Sequence, residues 1–307
     1  VSAPKLRLSG RDWRLLIGLS LCWGSSFLFF RTLSAALPPF TVALSRVGVA
    51  ALILNLIMLV LGKRMPTDWK LWRRFAVMGF LTCVATFSLT AWALRAIESG
   101  LGSILNAATP ISSVLLAHVL TSNEKLTPQR LLGVAAGVTG VVILIGPSAL
   151  RHLGGAETGA QLAVLAATVF AALGSIYGRR FGDLPPLTLA TGQLTAAAAI
   201  MLPLVLIFDR PWTLEPPTPF LWLNILGFAV ICSVIAYILF FKLLASAGAT
   251  NLQLVTFLIP IIALFLGWWV LGEALDPHAY AGMAVIGLGL VLIDGRLVAW
   301  ARRRLML

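Results

Sequence analysis

The chain has 307 residues, 59% of them hydrophobic and only 11% charged, with a formal net charge of +12. That charged share is far below the ~25% of a soluble domain, so composition excludes a soluble enzyme or a cytosolic nucleotide-binding module. It points to an all-α membrane protein, whose surplus Lys and Arg gather in loops on one side of a bilayer rather than on nucleic acid.

Ten apolar stretches follow in chain order: 13–30, 39–61, 75–94, 100–120, 129–146, 160–180, 187–208, 218–241, 249–271 and 277–294. Most run near the ~20 residues needed to cross hydrocarbon as a helix. Short connections rich in turn residues separate them, among them Leu37-Pro38-Pro39, Gly154-Gly155, Pro185-Pro186 and Pro216-Pro217. The basic start (Lys5, Arg7, Arg11, Arg14) leads into a first span without an A-x-A site, read as retained rather than cleaved. With the N-terminus inside, cytoplasmic segments hold 18 Lys and Arg and outer loops hold 4. Both termini are therefore expected in the cytoplasm.

The chain writes one stretch twice. Glu124, Pro128, Gly133, Gly140 and Gly146 match Glu273, Pro277, Gly282, Gly289 and Gly295 at one offset of 149 residues, and Pro110 matches Pro260. Further upstream, Pro38-Pro39 matches Pro185-Pro186, and Arg46 falls opposite Gln193. Two five-span units are expected, 1–150 and 151–307. Because five is odd, the second enters the membrane from the opposite side, an inverted repeat of the kind used by alternating-access transporters.

The repeated P-x(n)-E-x-L-x-P/D-x(n)-G-x(n)-G pattern, the opening Trp23-Gly24-Ser25-Ser26-Phe27 and the Pro39 to Arg46 spacing resemble the EamA-type drug/metabolite transporters. The resemblance covers nearly the whole chain. It implies a bacterial inner-membrane, multi-pass exporter of amino acids and related small metabolites, similar to the YddG-like aromatic amino acid exporters. The alternative within the family is a proton-coupled efflux antiporter for drugs and toxic compounds.

All eleven carboxylates fall in loops or at span ends, so a mid-membrane carboxylate proton relay is not expected. Arg46 is the unambiguous intramembrane charge. It reads either as a cavity cation for a substrate carboxylate or as a strut for a neighbouring helix. Thr82, Thr86 and Thr90 share one helix face, as do Asn106 and Thr109 with Pro110, and Gln253 and Thr256 with Pro260. Such faces suit a wet cavity, or they glue helices and bond their own backbone. With Ser26 and Gln193 these are the candidate substrate contacts, and Trp23, Phe27, Trp92, Tyr177 and Tyr237 are the candidate apolar wall.

Pro110 and Pro260 free backbone carbonyls and suggest a hinge or a cavity edge. Glu124 and Glu273 are gate candidates, or helix-start devices that favour a positive N-terminal dipole. The glycines at Gly133-x-x-x-Gly137 pair two helices, of one protomer or of two. Cys22, Cys83 and Cys232 show no metal spacing, and no HExxH or GxSxG occurs. No catalytic residue, metal or cofactor is expected. The expected partners are a small-molecule substrate and lipid, and the expected state is a monomer or weak homodimer.

Overall fold

The computed structural model describes residues 9–120, 128–151, 156–181, 184–240, 242–243, 246, 255–274 and 277–294. Among them no strand occurs. Ten apolar helices follow one another: α1 (Gly10–Ser34), α2 (Pro39–Val60), α3 (Trp69–Ala93), α4 (Ser99–Leu120), α5 (Pro128–Arg151), α6 (Ala156–Gly178), α7 (Pro186–Asp209), α8 (Pro219–Phe240), α9 (Val255–Leu266 with a π turn at Gly267–Leu271) and α10 (Pro277–Asp294). Seven of these are long and apolar enough to cross a membrane, and the remaining three contain shorter apolar stretches.

Local chemistry sets the helix ends. Ser9 and Asp12 form a capping box at the start of α1, answering the orphan N–H groups of a first turn. Pro39, Pro186 and Pro219 open their helices, where the missing N–H costs nothing. Gly62 and Gly272 follow α2 and α9 with φ of 66° and 68°, a left-handed turn that stops the helix.

Two elements differ from the sequence expectation. Helix α3 begins at Trp69 rather than near residue 75, because its first turns are amphipathic and carry Lys70, Arg73 and Arg74, which a hydropathy window leaves out. Helix α4 is broken at Ala107-Ala108 into Ser99–Asn106 and Thr109–Leu120, because Pro110 has no N–H to return to Asn106.

The most extensive helix pair is α5 with α10. A Cβ placed on Gly289 would lie 2.7 Å from both the Gly133 carbonyl and the Gly137 amide, and one on Gly140 would lie 2.6 Å from the Ile286 amide. Only glycine permits this backbone approach. The glycines therefore join two helices of one chain.

The other eight helices supply most of the core, to which α5 and α10 add Val134 and Ile286. Helix α1 packs on α9, α4 on α6, α2 on α7, α3 on α6 and α7, and α8 on α1 and α2. Exchange of the first five helices for the second five maps this set of contacts onto itself. Trp69, Trp212 and Trp222 stand exposed on the bundle's outside, as expected of side chains at a membrane interface.

Candidate functional site

A cavity of about 320 Å³ lies in the middle of the bundle. That is the small end of the ~300–1,000 Å³ range of ligand pockets. Helix α1 contributes Trp23, Ser26, Phe27 and Phe30; α2 contributes Arg46; α3 contributes Thr82, Thr86, Phe87 and Thr90. The α4 break adds Ser103, Asn106, Ala107 and Thr109, while α6 adds Ala171 and Ser175. Tyr237 comes from α8, and Val255, Thr256 and Ile259 come from α9. Eleven of the residues singled out in the sequence meet here: Trp23, Ser26, Phe27, Arg46, Thr82, Thr86, Thr90, Asn106, Thr109, Tyr237 and Thr256.

Arg46 is 6% exposed. Its Nε donates to Ser233 Oγ at 3.2 Å and its Nη2 to the Cys232 carbonyl at 3.0 Å. The guanidinium carbon sits 4.1 Å from the centroid of Phe87, 4.9 Å from that of Phe228 and 5.6 Å from that of Phe30. Ring faces attract a desolvated cation by ~2 kcal/mol or more. That offsets much of the ~2.5–3.5 kcal/mol insertion cost of a mid-membrane arginine. Among the described residues no carboxylate lies within 4.0 Å of Arg46; the ion pair found there joins Arg31 and Glu273. One edge of Arg46 thus braces α8, and the residue also lines the cavity.

The brace has a local cause. Helices α3 and α8 each widen into a π turn at mid-length, at Phe80–Ala85 and Val230–Ile235. A π turn displaces the i→i+4 ladder and leaves carbonyls to be satisfied from outside. Arg46 reaches the α8 turn at Cys232. Its repeat mate Gln193, from α7, reaches the α3 turn at Cys83, with Nε2 3.6 Å from the sulfur and 3.2 Å from the Tyr237 hydroxyl. Gln193 is 5% exposed and stands behind Tyr237 rather than in the cavity lining. The three cysteines are buried and unbridged.

The two prolines have matched effects. Pro110 and Pro260 lack the N–H that would return to the carbonyl four residues earlier, and those carbonyls belong to Asn106 and Thr256. Both residues line the cavity. The Asn106 carbonyl accepts instead from Thr109 Oγ1 at 2.7 Å.

The hydroxyls around the cavity are committed in one direction. Ser26, Thr82, Thr86, Thr90, Ser103, Thr109 and Ser175 each donate to a backbone carbonyl within five residues, at 2.6–2.9 Å. Self-bonding and cavity lining therefore coexist: each proton serves the helix, and an oxygen lone pair remains.

Other sequence candidates lie elsewhere. Trp92 is 47% exposed at the outer surface of α3. Tyr177 packs edge-on against Phe181, with the Arg180 guanidinium 5.0 Å from its ring centroid, in a separate apolar cluster around Phe75. Gln253 and Glu124 fall outside the described residues. Glu273 sits at the end of the bundle where α4 begins. It accepts from the Ser99 amide at 3.0 Å and the Ser99 hydroxyl at 2.5 Å. It thus caps α4, a helix from the other half of the chain, rather than the helix that follows it.

Sequence reasoning missed Phe30, Phe87 and Ser103. Phe30 is one helical turn beyond Ser26 and Phe27, and Phe87 lies beside Thr86, so periodicity carries a weak signal for both. Nothing local marks Phe87 as the ring closest to Arg46.

A model of the EamA-like transporter family matches the chain twice, over residues 14–146 and 158–294. Among curated proteins, the chain is similar to Protein PecM of Dickeya dadantii, 28% identical over 89% of this chain and 88% of the relative. It is also similar to the uncharacterized inner membrane transporter YedA of Escherichia coli K12, 25% identical over 91% and 89%. A third relative is the uncharacterized transporter YoaV of Bacillus subtilis, 21% identical over 90% and 94%. A solved protein crystal structure superimposes with a TM-score of 0.67 at 19% identity, over 94% of this chain and 98% of that one, which shows the shared fold. Two family matches that together span most of an all-helical, multi-pass membrane bundle establish that this chain belongs to the EamA-like transporter family.

Proposed function

We propose that the chain exports amino acids, chiefly those with aromatic or hydrophobic side chains, and related small metabolites across the bacterial inner membrane. Arg46 is the group that binds the substrate carboxylate. The observation that carries this reading is a guanidinium with no described carboxylate partner, lining a central cavity of about 320 Å³ beside Trp23, Phe27, Phe30, Phe87 and Tyr237. A desolvated cation is satisfied best by an anion that arrives with the substrate. Aromatic walls then bury the side chain of an amphipathic solute.

Transport proceeds by alternating access. Two inverted five-helix halves rock about the site, and the sections of α4 and α9 that carry Pro110 and Pro260 are the moving walls. The duplicated sequence and the exchange-symmetric helix contacts support that arrangement. The 18-to-4 distribution of Lys and Arg supports cytoplasmic termini. The cavity lining contains no carboxylate among the described residues, which supports movement without an intramembrane carboxylate relay.

The test is flux in proteoliposomes with a panel of amino acids and cationic dyes. Arg46→Gln is expected to lower flux of carboxylate substrates by ~10-fold or more, the loss of one charge-assisted hydrogen-bond pair, and to spare cationic compounds. Equal loss for both classes overturns the role given to Arg46. Accumulation driven by an imposed pH gradient favours the proton-coupled antiporter instead.

A further inference from the structure

The end of the bundle where α3 begins carries a cluster of exposed cations, and an apolar lane runs away from it along the same helix. We infer that this surface is a binding site for an anionic phospholipid, with the phosphate on the cations and an acyl chain along the lane.

The cations come from three segments. Lys63 and Arg64 lie in the turn after α2, Lys70, Arg73 and Arg74 in the first turns of α3, and Arg180 just beyond α6. All six are exposed. One apolar cluster holds their backbones in place. Phe75 stacks on Phe181 at 5.4 Å, Trp72 meets Phe75 edge-on at 5.7 Å, and Met65 packs against the same group. Trp72 Nε1 donates to the Pro66 carbonyl at 2.8 Å, which folds the turn after α2 back onto α3. The Arg180 guanidinium lies over the Tyr177 ring, a neighbour of Phe181. A cluster ordered in advance loses less entropy when a ligand arrives.

These cations lack counter-charges within the protein. Among the described residues none of the six has a carboxylate within 4.0 Å. Asp68 lies in their midst but caps α3, accepting from the Lys70 amide at 3.0 Å. The opposite end of the bundle differs, since its exposed charges are of both signs: Arg95 and Arg210, with Glu157 and Glu215.

Helix α3 then changes character along its exposed face. Lys70, Arg73 and Arg74 give way to Val77 and Phe80, each 43% exposed, while Trp69 is 73% exposed beside the cations. At 1.5 Å per residue Phe80 stands ~10 Å deeper along the helix than Arg73, within the ~15 Å of one hydrocarbon leaflet. Tryptophan favours the headgroup level. An anionic phospholipid complements both parts. A soluble phosphate answers only the cations, and a zwitterionic lipid sets its own cation against them.

The experiment measures equilibrium binding to the purified full chain in detergent, with dioctanoyl phosphatidylglycerol, dioctanoyl phosphatidylcholine and glycerol phosphate as probes. Each basic side chain near an anionic surface contributes about fivefold. Wild type is therefore expected to bind phosphatidylglycerol roughly tenfold or more tightly than phosphatidylcholine. The ratio should fall to about threefold or less in Lys70→Gln/Arg73→Gln/Arg74→Gln, and hold in Arg95→Gln/Arg210→Gln at the other end. Phe80→Ala should weaken both lipids about threefold and keep their ratio. Should the triple variant fail to fold, salt serves: raising it from about 0.05 to 0.5 M should cut the wild-type ratio several-fold. Equal affinity for the two lipids in wild type overturns the site. A ratio that survives both the triple variant and salt overturns the role of these cations. Glycerol phosphate bound as tightly as phosphatidylglycerol, or Phe80→Ala without effect on either lipid, overturns the lipid as occupant.

Discussion

Glu273 caps the first turn of a helix from the other half of the chain: its carboxylate accepts from the Ser99 amide at 3.0 Å and from the Ser99 hydroxyl at 2.5 Å. It also accepts from the Gly100 amide at 3.3 Å and lies 3.9 Å from Arg31 Nε. At the same end of the bundle Asp209 does likewise for α2, accepting from the Thr41 amide at 2.6 Å and the Thr41 hydroxyl at 2.8 Å. Both carboxylates come from the second half and both helix starts from the first.

The cap yields a direct prediction. Glu273→Ala removes the acceptor for two backbone N–H groups at the start of α4, a loss of ~0.5–2 kcal/mol by analogy with N-caps. Hydrogen exchange over residues 94–106 should accelerate several-fold, and faster still with Asp209→Ala added. Unchanged protection there would mean that the contact does not hold the two halves together.

Arg46 lets magnitudes separate its two roles. Arg46→Leu forfeits ring attraction of ~2 kcal/mol and the hydrogen bonds to Ser233 and the Cys232 carbonyl, for ~1–3 kcal/mol. It also removes an insertion cost of ~2.5–3.5 kcal/mol. The opposing terms nearly cancel, so thermal unfolding in detergent should move only a few degrees while carboxylate flux collapses. A large fall in unfolding temperature would mean that the side chain serves α8 more than the substrate.

The α5 and α10 pair offers an internally controlled test. A Cβ on Gly289 meets backbone of Gly133 and Gly137 at 2.7 Å, whereas one on Gly287 meets nothing within 4 Å. Gly289→Ala should therefore destabilise the chain by ~1–3 kcal/mol through forced helix separation. Gly287→Ala should be neutral or slightly stabilising, since alanine is the better helix former. Equal unfolding temperatures for the two variants would contradict the close approach of these helices.

Most of the fold was legible in the residues, because hydropathy, proline-led helix starts and the 149-residue register are properties of the chain taken locally. The candidate site was legible in part, through polar faces at helical spacing and a lone arginine. Trp92 shows the limit: it sits in the same span as three cavity threonines, yet its rotation about α3 turns it outward. Glu273 shows another. An acid in a turn before a helix reads as a cap for that helix, and only the packing of α9 near α4 brings it to Ser99 instead.

The sequence by itself determined a duplicated, all-helical membrane protein with one buried cation and two matched prolines, since each follows from composition, spacing or the covalent absence of an N–H. Only the tertiary structure decided what those features face. The α2 to α8 contact brings Arg46 to the π turn and to three rings from three other helices, and the α4 break places Asn106 and Thr109 in the cavity wall. Such encounters depend on helix rotation and on partners up to 187 residues away, which local periodicity does not encode.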